Sequence, residues 1–133
     1  MKPLRWLLAL LAPAVGLFVA FAGVVLLTDL LVRACPPDLL VSGMCTASWY
    51  PAAERAAFAV AAFVGALVFV WLPVKVAPAY KNEVRWVCLS AGSVFAAIFV
   101  WQAGPELLPS LFAALAGGAL AARFSIQPLD HSV

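Results

Sequence analysis

The sequence predicts an all-α integral membrane protein: a four-helix bundle in a bilayer, both termini cytoplasmic, with one disulfide-closed external loop between helices 1 and 2. Three observations predict it. The 133-residue chain is 66% hydrophobic and 11% charged, with a mean hydropathy of +1.08, whereas a soluble domain is about half apolar and a quarter charged. Its apolar residues gather into four nearly uncharged runs, punctuated by proline, glycine and charge. Its one long connection carries two cysteines, Cys35 and Cys45.

Helix 1, about 4–33, contains "WLLALLAPAVGLFVAFAGVVLLT" from Trp6 to Thr28. A span needs roughly 20 apolar residues, because each adds 1.5 Å against a hydrocarbon core about 30 Å thick. Lys2, Arg5 and the small-x-small "AFA" at Ala20–Ala22 also suit a cleavable leader. The apolar run continues through Gly23 to Thr28, however, and this predicts a retained helix. Helix 2, about 51–74, carries "AAFAVAAFVGALVFVWLPV", with Pro73 and Pro78 as breakers at its exit. Helix 3, about 83–103, is built on "WVCLSAGSVFAAIFVW", with Asn82 as a cap. Gly104 ends helix 3, and Pro105 opens helix 4, about 105–123, around "LLPSLFAALAGGALAA". Helices 3 and 4 reach spanning length only with their flanks. The whole chain, 1–133, reads as one membrane domain with a short cytoplasmic tail, 124–133. Short links make helices 2, 3 and 4 antiparallel neighbours.

Basic residues set the threading. Lys2, Arg5, Lys75, Lys81, Arg85 and Arg123 fall on one side, and only Arg33 and Arg55 on the other. The positive-inside rule therefore puts both ends in the cytoplasm. Trp6, Trp71, Tyr80 and Trp86 form one interfacial belt, and Trp49, Tyr50 and Trp101 the other. The net charge of +2 is too small to point to nucleic acid.

The external loop, about 34–50, then lies in the periplasm if the membrane is a bacterial inner membrane, as the Ala-, Pro- and Gly-rich composition suggests. Cysteines there pair, so Cys35 and Cys45 are expected to form a disulfide. Closing about 11 residues contributes about 2.5–3 kcal/mol in the chain-entropy model. Pro36 and Pro37 stiffen the loop, and Ser42-Gly43 supplies a turn. A reactive redox pair is the competing reading, but the nine-residue gap and the lack of a second pair disfavour it. Two cysteines and the distant His131 do not make a zinc site.

No catalytic, cofactor or metal residues are expected, because the spans hold no Ser/His/Asp set, carboxylate pair or phosphate loop. Asp29 lies about 24 residues beyond Arg5, roughly 36 Å along a helix, and so reaches the outer headgroups. There it is expected to pair with Arg33 at i+4. Asp29, Arg33, Glu54 and Arg55 are the candidates for an external mouth. Pro51 and Glu54 alternatively suit the first turn of helix 2.

Small residues recur every four positions: Ala12, Gly16 and Ala20; Ala57, Ala61 and Gly65; Gly92 with Ala96, and Ser93 with Ala97. In lipid such stripes mark close helix approach. Helix 4 carries the densest, with Ser110, Ala114, Gly117, Gly118, Ala121 and Ala122 as candidates for an interface with a second copy or a larger membrane protein. The expectation is a non-catalytic accessory or assembly subunit. A small oligomeric transporter or lipid-carrier translocase is the alternative, and a thiol-disulfide redox protein a distant third.

Overall fold

The computed structural model describes residues 2–77 and 79–125. Helix α1 (Lys2–Arg33) leads through a compact loop to α2 (Tyr50–Val76), then α3 (Lys81–Ala103), a 3-10 turn (Pro105–Leu107) and α4 (Leu108–Phe124). The stretches Trp6–Arg33, Tyr50–Val76, Lys81–Ala103 and Pro105–Phe124 are each long and apolar enough to cross a membrane, with mean hydropathies of 2.6, 2.4, 1.7 and 1.5 over an 18-residue window. The tail beyond Ser125, with His131, lies outside the described residues.

Two boundary expectations need correction. Pro73 does not end α2; the helix runs on to Val76, and Ala77 N–H donates to Pro73 C=O at 2.9 Å. Pro73 is fully buried, and burial against neighbouring helices is how membrane proteins tolerate an interior proline. Asn82 is not the cap of α3. The helix starts two residues earlier, after Tyr80 in the left-handed region (φ 53°, ψ 38°), and Val84 N–H donates to Tyr80 C=O at 3.0 Å. Asn82 Oδ1 instead accepts from Arg85 Nη2 at 2.5 Å. At the other turn, Gly104 adopts φ 100°, open to glycine and costly for other residues, and Pro105 begins the next turn as expected.

Helix α2 is the hub. It packs along α1 on one side and along α4 on the other, and more lightly against α3; α1 makes no extensive contact with α3 or α4. The four helices are therefore an open array around α2 rather than a closed ring about a shared axis. The α1–α2 seam is made of the small stripes. Ala12 and Gly16 on α1 are buried, as are Ala57, Ala61 and Gly65 on α2. Gly65 lies against Ala20, Gly23 against Ala61, and a Cβ on Gly16 would come within 2.6 Å of the Phe69 backbone. Such approach maximises van der Waals contact where lipid gives no hydrophobic drive for helix association. A second cluster joins Val70 of α2, Cys88 of α3 and Ala121 of α4, with Leu67, Phe69, Val84 and Leu89 around them.

The loop folds as expected from its cysteines and turn. Cys35 and Cys45 are bonded, with Cα atoms 6.0 Å apart. Leu40–Val41 pairs antiparallel with Met44–Cys45, joined by Ser42 (φ 52°) and Gly43 (φ 81°). Positive φ at both central residues is the geometry that matches hairpin twist. Thr46 closes the base, its N–H and hydroxyl donating to Leu39 C=O at 2.9 and 2.8 Å. Both cysteines and Ala47 are buried beside Tyr50.

Candidate functional site

The hairpin end holds the expected mouth residues. On α1, Arg33 Nε donates to Asp29 Oδ2 at 2.8 Å, the i+4 pair predicted above, with both side chains more than half exposed. Arg55 reaches elsewhere: its Nη2 lies 3.5 Å from Glu106 Oε2, tying the start of α2 to the turn before α4. Pro51 sits in the first turn of α2, and Glu54 falls just past it. The four candidates thus divide. Asp29 and Arg33 form one exposed pair, Arg55 belongs to another, and Glu54 pairs with neither among the described residues. Sequence reasoning missed the Arg55–Glu106 contact because 51 positions separate the partners, and no local pattern announces a pair brought together by helix order.

A groove of about 310 Å³ opens at this same end between α1 and α2. Leu27, Leu30 and Leu31 face Ala53, Ala56 and Val60 across it, and none of the four mouth candidates lines it. Its walls are aliphatic, suited to hydrocarbon rather than to an ion or polar solute. Thr28, the nearest hydroxyl in the sequence, donates back to Val24 C=O at 2.8 Å, as hydroxyls in membrane helices commonly do.

Four of the six helix 4 candidates also require correction. Gly117, Gly118, Ala121 and Ala122 are buried within the chain. A Cβ on Gly117 would overlap the backbone carbonyl of Phe63 on α2, and one on Gly118 would press within 3.3 Å of Leu89 on α3. The adjacent glycines let α4 nestle against two helices at once, so this small surface is used inside the chain and is withdrawn as a lateral interface. Ser110 and Ala114 are half-buried.

The opposite end carries a cavity of about 260 Å³, lined by Val74, Lys81, Asn82, Arg85 and Ser125. Sequence reading noted the basic bias here without seeing that Lys81, Asn82 and Arg85 share one helix face. Their i, i+1, i+4 spacing was the available signal. Cys88 is buried and unbonded in α3. Among the described residues, no group of three or more His, Cys, Asp or Glu side chains is placed to hold a metal.

Four apolar spans, charges confined to the ends of helices and a stapled hairpin between the first two spans define a multi-pass membrane protein. Compared with protein-family models, curated proteins and solved structures, the chain matches none.

Proposed function

We propose that the chain is a non-catalytic accessory or assembly subunit of the bilayer, packing laterally against a second copy or a larger membrane protein. The observation that carries this reading is the open array. Helix α1 contacts only α2 extensively, and α3 buries just Cys88. Both leave bulky side chains facing outward, Leu10, Phe18 and Phe21 on α1 and Phe95, Phe99 and Trp101 on α3. A helix with few intrachain neighbours has surface to share with another protein, and helix association in lipid needs only shape and contact. Because the glycines of α4 are already committed, α3 takes over as the face proposed for the partner. The reading includes the threading from basic residues, with both ends cytoplasmic and the Cys35–Cys45 hairpin on the far side, periplasmic in a bacterial inner membrane.

Photocrosslinking tests it. A benzophenone side chain at Phe99 on α3 is expected to give a discrete adduct of protein mass, whereas one at Leu115 on α4 gives lipid adducts alone. Lipid adducts alone at both positions, with a monomer-sized particle in mild detergent, refute the accessory reading.

A further inference from the structure

We infer that the cavity where α3 begins and α4 ends binds the phosphodiester of an anionic phospholipid headgroup. The inference rests on the membrane-spanning reading and is independent of the accessory role. Arg85 Nε is buried and has no hydrogen-bond partner among the described residues. Nε is closed to solvent, so a ligand in the cavity meets the guanidinium through its terminal nitrogens. The rest of the side chain is held in place: Nη2 donates to Asn82 Oδ1 at 2.5 Å, and the guanidinium stacks 5.4 Å from the centre of the Trp86 ring.

Lys81 adds a second positive charge to the same cavity, and among the described residues neither Lys81 nor Arg85 forms an ion pair. Glu83, in the same turn, is exposed and does not line the cavity. Ser125 donates its hydroxyl proton to Ala121 C=O at 2.7 Å, which leaves recognition to the two cations. A planar fork beside an ammonium suits the several oxygens of a phosphate group.

Position selects the lipid over free phosphate. The cavity lies at helix ends, beside exposed Tyr80 and Trp86 and near Trp71, over whose ring Lys75 is placed at 5.8 Å. Aromatic rings with basic neighbours mark headgroup depth. Two residues on from Arg85 along α3, Val87 exposes an apolar side chain.

The full chain, purified in a mild non-ionic detergent, is titrated with phosphatidylglycerol, phosphatidylcholine and inorganic phosphate, and bound species are counted by native mass spectrometry. Phosphatidylglycerol is expected to be retained over phosphatidylcholine. Arg85→Gln should lower that retention about tenfold and Lys81→Gln about fivefold. Arg33→Gln, at the opposite end of the helices, should leave it within about twofold. Equal retention of the two lipids, or retention unchanged in both cavity variants, overturns the inference. Displacement of phosphatidylglycerol by equimolar inorganic phosphate overturns its lipid source. Should Arg85→Gln fail to fold, Lys81→Gln and Asn82→Leu decide alone. Oligomeric mass in the same spectra reports on the accessory role separately.

Discussion

Helices α1 and α3 both lie on α2, and they do so by different means. Against α1, glycine meets alanine or bare backbone: Gly65 sits on Ala20 and Gly16 on the Phe69 backbone. Against α3, Gly92 meets only the rim of the Phe69 ring, where a Cβ would rest 3.4 Å from Cε1. Phe69 thus fills the angle between α1 and α3, its backbone toward one and its ring toward the other. The lesson is that a small residue brings helices together in lipid when it meets the opposite backbone, as Gly16 does at Phe69 and Gly117 at Phe63, and not when it meets the edge of a ring. Helix α3 has Gly92 and Ala96 at the right spacing, but a large ring opposes Gly92, and only Cys88 of α3 is buried.

Substitutions can break or sharpen that contrast. Gly65→Leu should do the most damage, because its side chain would enter the Ala20 and Gly16 backbone rather than a mobile side chain. A loss of about 3 kcal/mol is expected, read as a lowered thermal midpoint in detergent. Removing the staple with Cys35→Ser and Cys45→Ser together should cost about 2.5–3 kcal/mol. That loss should appear equally in the wild-type chain under reductant, whereas the Gly65 effect should not depend on redox state.

Gly117→Ala, aimed at the Phe63 carbonyl, should cost about 1–2 kcal/mol and loosen α4 from α2. Gly92→Ala tests the contrast from its other side. A methyl there would meet the Phe69 ring at ordinary contact distance, so it should cost about 0.5 kcal/mol or less. Equal penalties at Gly92 and Gly117 would mean that α3 is seated as tightly as α4. Asp29→Asn comes last, at about 0.3 kcal/mol, because the Arg33 pair is exposed and solvent-screened.

Much of this architecture is visible in the chain's own pattern, and particular residues show why. Spans and links follow from hydropathy and from breakers such as Gly104-Pro105, because lipid enforces helices wherever apolar runs persist. The hairpin follows from Cys35, Cys45 and Ser42-Gly43, whose effects are local. Pro73 misled because the hydrogen bond it removes and the ring it adds can be accommodated where packed neighbours surround the helix. The stripe on α4 was read correctly as a contact face, but its partner was not. Residue spacing defines a face without naming what covers it, and Gly117-Gly118 turned out to meet Phe63 and Leu89 of the same chain. Likewise, Arg55 was legible as a candidate for the external mouth, while its partner Glu106 depended on helix order. The burial of Arg85 Nε had no local signature at all.

The central claim is the threading: four crossings, with the hairpin facing away from both ends of the chain. Reporter fusions at the two ends, combined with impermeant maleimide labelling of a Ser42→Cys variant in intact cells, test it most directly. Both fusions should report the cytoplasm, and Ser42→Cys should label from outside. Ends on opposite faces, or a Ser42→Cys thiol protected until the membrane is permeabilised, would contradict it.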